Sequence, residues 1–144
     1  MRWMVVAALV ASLPPALAAQ DRVSVVPPGA PVGPFTQAIK AGGLIWLSGQ
    51  IGNAPGTRTV VPGGVGPETR QAMENLGRVL EAAGSSFGRV VKCTVFLSDI
   101  NDWAAMNAVY APFFPGDPPA RSTVAVAGLV FGAHVEIECV AVGG

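Results

Sequence analysis

RVVKCTVFLSDINDWAAMNAVYAPFF, residues 89–114, is the stretch that decides the fold. Its first half alternates as a strand does: Val91, Cys93, Val95 and Leu97 share one face, and Lys92, Thr94 and Phe96 the other. The alternation stops at Ser98, and Asp99 or Asn101 can cap a helix beyond it. From Trp103 the period lengthens. Trp103, Met106, Tyr110 and Phe113 form the packing stripe of that helix. A strand with one apolar face and a helix with one apolar stripe bury those surfaces together, so the stretch predicts a helix lying on a sheet.

Working outward, the same elements recur. GPETRQAMENLGRVLEAAG, residues 66–84, places Met73, Leu76, Leu80 and Ala83 at helical spacing and stops at Gly84. TQAIKAGGLIWLSGQI, residues 36–51, reads as two strands turning at Ala41-Gly42-Gly43. Leu44 to Leu47 is apolar without alternation, which predicts cover on both faces. Residues 22–26 are a further strand candidate, two more lie near 121–127 and 134–142, and the Gly- and Pro-rich residues 52–66 are a long loop. The expected class is α+β: a mixed sheet with two helices packed on one face.

The chain has 144 residues, enough for one domain and too few for two. Nine basic and nine acidic residues are scattered without a stripe, which argues against a nucleic-acid partner. The first 19 residues read as a cleaved secretory signal. Arg2 precedes an apolar run from Trp3 to Leu13, Pro14 and Pro15 break it, and Ala16-Leu17-Ala18 offers a cleavage site, with Ala19 as a near-equal alternative. The run is short for a membrane span, so an uncleaved anchor is the weaker reading. Residues 20–144 are then a single domain, periplasmic or secreted, with no membrane contact after cleavage.

Cys93 and Cys139, 46 positions apart, both sit in apolar alternating runs. They read as buried free thiols, ahead of a bridge and well ahead of a catalytic thiol. His134 is the sole histidine and reads as a surface residue; no ligand spacing for a metal exists.

PPARSTVAV, residues 118–126, puts Arg121 at the mouth of a strand behind two prolines. Strand parity, taking Val124 and Val126 as helix-facing, sets Arg121, Thr123 and Ala125 on the opposite face. The last strand sets Glu136 and Glu138 there as well, with Val135, Ile137 and Cys139 facing the helices. A guanidinium so placed can hold a carboxylate through two parallel hydrogen bonds, and a glutamate can act as base or position a water. A plain Arg121–Glu136 ion pair is the alternative. Leu44, Trp46, Phe96, Val140 and Val142 share that face, and so much apolar surface predicts a homo-oligomer.

GPFTQA, LSGQI, VKCTVFLSDINDWAAMNAVYAPFF, PPARSTVAV and VEIECVAV together resemble the RidA/YjgF family, in order and approximate spacing from about Pro31 to Val142. The resemblance implies a chorismate mutase-like α+β fold, a homotrimer with clefts between subunits, and no cofactor or metal. It implies hydrolysis of reactive enamines and imines of amino acids, such as 2-aminoacrylate and 2-iminopropanoate, to 2-keto acids and ammonia. Arg121 matches the arginine that binds the substrate carboxylate, and Glu136 the glutamate that positions or activates water. Asn107, Ser48 and Gly49 match pocket residues. Phe35 stands where many members have tyrosine, and Thr123 where many have cysteine. An exported protein that binds a small carboxylate without turnover is the alternative function; a ribonuclease role finds no basic groove and no histidine pair.

Overall fold

The structure, a computed structural model, describes residues 22–30 and 33–143. The expected signal segment, residues 1–19, lies outside the described residues. The strands are β1 (Val23–Val25), β2 (Ala38–Ala41), β3 (Leu44–Leu47), β4 (Gln50–Ile51), β5 (Val90–Leu97), β6 (Ala120–Ala125) and β7 (Val135–Val142). Helix α1 (Val65–Ala82) precedes β5, and α2 (Trp103–Tyr110) connects β5 to β6. One sheet runs β1-β2-β3-β7-β5-β6, with β4 also pairing β7. All pairs are antiparallel except β5–β6, which is parallel because the α2 crossover intervenes.

The β2–β3 hairpin turns on Gly42 and Gly43, both at positive φ, which glycine adopts without steric cost. Helix α1 buries Ala72, Met73, Leu76, Val79 and Leu80 against the sheet, and Ile45, Val95, Leu97, Val135 and Ile137 meet them there. Full burial of each large aliphatic side chain is worth about 1.5–3 kcal/mol, so this layer dominates the stability of the fold. Tyr110 and Met106 bury α2 on the same side. Neither Asp99 nor Asn101 caps α2 itself, which starts after Asp102 without a side-chain cap. Asp99 caps the 3-10 turn Ile100–Asp102 that leads into it, its Oδ1 accepting from the backbone N–H of Asn101 at 2.9 Å.

Several expectations are corrected. A bulge between Val90 and Lys92 reverses the parity at the start of β5, so Val90 is buried and Val91 exposed. Trp103 is exposed at the first turn of α2 and drops out of its stripe. Trp46 is 52% exposed, so β3 is covered on its helix side alone within one chain. The parity of β6 is inverted. Cys93 pairs with Arg121, Val95 with Thr123 and Leu97 with Ala125, and laterally paired residues share a face. Arg121 and Thr123 therefore lie on the helix side, whereas Val124 is exposed. The valines mislead because β6 is an edge strand that α2 covers only in part.

Cys93 and Cys139 are joined as a disulfide and are not free thiols. They stand directly opposite each other on β5 and β7. Each alternates correctly into the core, but only the register, fixed by distant pairings, brings them together.

Candidate active site

Arg121 leaves β6 toward α2, and its guanidinium carbon lies 4.7 Å from the centre of the Tyr110 ring. A cavity of about 350 Å³ opens beside them, lined by Asn107, Tyr110, Phe114, Pro118, Pro119 and Arg121. Pro118 and Pro119 stiffen the entry to the strand. No ion pair among the described residues involves Arg121, so the expected alternative of an Arg121–Glu136 pair does not form. Thr123 lies two residues along the same face, with its hydroxyl buried and unpartnered among the described residues. The Tyr110 hydroxyl is likewise buried without a partner. Burial raises the Tyr110 pKa, and the neighbouring Arg121 charge opposes that rise.

Glu136 occupies the other face of the sheet. It pairs with Phe96 on β5 and Ile51 on β4, and its carboxylate rests against the backbone of Gly49. A Cβ at position 49 would collide with that carboxylate, so glycine is required for the approach. Ser48 does not point its hydroxyl outward: Oγ donates to the Thr36 carbonyl at 2.6 Å. The side-chain amide of Gln50 donates to Gln37 at 3.0 Å and to the Ser48 carbonyl at 3.3 Å, which fixes the Ser48–Gly49 turn from behind. Phe35, beside Thr36, is exposed. Partial burial, then the charge of Glu138, raises the Glu136 pKa above the ordinary carboxylate range.

The expected residues thus form two half-sites. Asn107, Arg121 and Thr123 lie on the helix side of the sheet edge. Glu136 lies on the opposite face with Gly49 against its carboxylate, Ser48 adjoins Gly49, and Phe35 is exposed near them in sequence only. The first offers a cation with in-plane N–H donors, suited to a carboxylate. The second offers a carboxylate whose raised pKa suits a general base. Within one chain they do not share a cleft.

Sequence reasoning misses three features. Tyr110 reads as core, and nothing in its spacing marks it as a seat for Arg121. Glu68, only 2% exposed, accepts from the backbone N–H of His134 at 2.7 Å and pairs with its Nδ1 at 2.6 Å, across 66 positions. His134 is half-exposed as expected, but it is held, and it ties α1 to the start of β7. Asn75, buried on α1, donates to the carbonyls of Ile51 and Asn53 and anchors the long loop. Among the described residues no cluster of acidic, histidine and cysteine side chains could hold a metal, and no helix is long and apolar enough to cross a membrane.

Known proteins share this architecture. The family model described as Endoribonuclease L-PSP matches residues 27–143. A 2-iminobutanoate/2-iminopropanoate deaminase of Mus musculus is 47% identical over 115 residues, which are 80% of this chain and 85% of that protein. Among solved structures, yeast YEO7 superposes with a TM-score of 0.82 at 40% identity, covering 86% of this chain and 100% of that one. Escherichia coli TdcF with bound serine superposes with a TM-score of 0.78 at 37% identity, covering 85% and 99%. Two helices on one face of a mixed sheet, the blocks around Arg121 and Glu136, and a match over residues 27–143 lead to one assignment: the chain belongs to the Endoribonuclease L-PSP family, the RidA/YjgF family that its sequence resembles.

Proposed function

We propose that the protein hydrolyses enamines and imines of small amino acids, of the 2-aminoacrylate and 2-iminopropanoate type, to 2-keto acids and ammonia. The observation that carries this is the pairing of half-sites: a guanidinium without an ion-pair partner among the described residues and a glutamate of raised pKa, in a chain 47% identical to a deaminase of such imines. Arg121 holds the substrate carboxylate. Glu136 takes a proton from water as its oxygen bonds to the imine carbon, giving a carbinolamine. The same carboxyl returns that proton to nitrogen. It then takes the carbinolamine's hydroxyl proton and passes it to nitrogen as the carbonyl forms and the C–N bond breaks, so ammonia leaves and the keto acid remains. One water is consumed and no oxidant or reductant is needed.

The active form under this reading is a homotrimer. The helix-free face carries exposed Trp46 and Val142 beside the half-buried Phe96 and Val140, an apolar surface that a second copy would cover. Packing subunits around a three-fold axis allows Arg121 of one chain to meet Glu136 of the next. Export, with cleavage of residues 1–19, belongs to the same proposal and rests on the N-terminal sequence alone.

The test monitors release of ammonia and pyruvate when purified protein meets freshly generated 2-iminopropanoate. Arg121→Ala removes a charge-assisted contact, a loss of about 2–5 kcal/mol or on the order of 30-fold and upwards in kcat/KM. Glu136→Gln is expected to lower kcat roughly 100-fold or more while carboxylate binding survives. If the unmodified protein binds pyruvate but does not turn over the imine, the binding-protein reading replaces this one.

A further inference from the structure

We propose that Tyr110 is the positioning residue for Arg121: its ring, not its hydroxyl, holds the guanidinium ready for a carboxylate. The inference rests on the reading of Arg121 as the carboxylate anchor and adds the group that makes the anchor rigid. An arginine side chain is long and loses considerable rotamer entropy on being fixed, so a free one binds a small anion weakly. Arg121 has no ion-pair partner among the described residues to fix it. What it has is an aromatic face at 4.7 Å, within the range of a cation–π contact.

The choice of an aromatic partner has a chemical consequence. A carboxylate partner would occupy the in-plane fork of N–H donors, the same donors a substrate needs. A ring takes the guanidinium by its face and leaves the donors that point away from Tyr110 open to a substrate. The platform itself is immobile. Tyr110 is 3% exposed, and its ring packs on Phe114 with centroids 5.0 Å apart. Phe114 in turn meets Phe87 edge-on at 5.5 Å, and Phe87 meets Phe113 at 5.4 Å. The aromatic chain runs from the core to the arginine. The hydroxyl is buried, which raises its pKa, and near enough to Arg121 for the guanidinium to oppose that rise. It makes no hydrogen bond of normal geometry among the described residues, so ring and hydroxyl have to be separated by substitution.

Tyr110→Phe and Tyr110→Leu separate ring from hydroxyl. Steady-state constants with 2-iminopropanoate and the dissociation constant of pyruvate by calorimetry are the readouts, with melting temperature measured alongside. Tyr110→Phe is expected to keep KM and pyruvate affinity within about 3-fold. Tyr110→Leu is expected to raise KM and weaken pyruvate binding about 10-fold, with kcat within about 3-fold, since the cation–π contact is lost and Glu136 is untouched. A folded Leu variant with wild-type KM and pyruvate affinity, when Arg121→Ala loses both, overturns the inference and leaves the function standing. If Arg121→Ala loses neither, the functional reading fails and takes this inference with it. Should Tyr110→Leu not fold, Tyr110→Met, which fills the space without a ring, is measured against the same expectations. A Phe variant as weak as Leu would also overturn the inference, because the hydroxyl would then be the working group.

Discussion

Arg121 and Glu136 lie on opposite faces of one chain, so under the proposed mechanism a working site needs two chains, and that can be tested by subunit mixing. Arg121→Ala and Glu136→Gln subunits, each inactive alone, are co-expressed with different affinity tags, and trimers retaining both tags are purified. A site is intact only where a chain with Arg121 is succeeded, in the sense of the ring, by a chain with Glu136. Walking around a mixed trimer of either composition meets that junction once, so about one site in three recovers. The parents retain at most a few per cent, given losses of about 30-fold for the clamp and roughly 100-fold for the base. Doubly tagged trimers should therefore show about a third of wild-type kcat/KM, roughly ten times the better parent. The assay is pyruvate release from 2-iminopropanoate, with each doubly purified parent as control. Activity no higher than the mean of the parents would refute the shared site, and Arg121 and Glu136 would then have to act within one chain despite their faces.

Three named contacts carry further predictions. The charge of Glu138 is the second cause of the raised Glu136 pKa. A base works ionised, so activity rises with pH through that pKa, and Glu138→Gln should lower it and move the acid limb to lower pH; an unmoved limb speaks against Glu136 as the base. The Cys93–Cys139 bridge closes a loop of 46 positions. Loop-closure entropy values this at about 4 kcal/mol, so Cys93→Ala/Cys139→Ala should lose roughly that in guanidinium unfolding, and oxidised protein should show a mass about two units below the dithiol. His134→Ala should leave Glu68 buried with only a backbone donor, at a cost of about 1.5–3 kcal/mol. A denaturation midpoint equal to that of the unmodified chain would mean that this pair contributes nothing.

The fold is legible in the sequence because two independent periods, two in residues 92–97 and near 3.6 in residues 66–84 and 103–110, each leave one apolar surface. Those surfaces have one economical partner, which is each other. What stays hidden is everything set by pairing between distant strands. Cys93 and Cys139 both alternate inward, but their meeting depends on the β5–β7 register. Glu68 and His134 give no local signal at all. A bulge at Val90 shifts parity by one residue, and no turn residue announces it.

Arg121 is the instructive case, because the sequence marks the right residue with the wrong geometry. Hydrophobicity assigns β6 its faces by letting Val124 choose the core, a rule that holds where both neighbours of a strand are covered. β6 has a neighbour on one side only, and its parallel pairing with β5 places Arg121 level with Cys93 instead. The charge then sits against α2, where the ring of Tyr110 receives it, and the valine is left exposed. An arginine facing the helices and a valine facing outward would both be liabilities in a monomer. In the proposed homotrimer the two inversions have one explanation. The outward valine joins the apolar face that a second copy would cover, and the edge-strand arginine becomes the group that reaches into the cleft so formed. Under that proposal, the local violation of hydrophobic pattern marks the edge of the sheet as the place where a second chain completes the site.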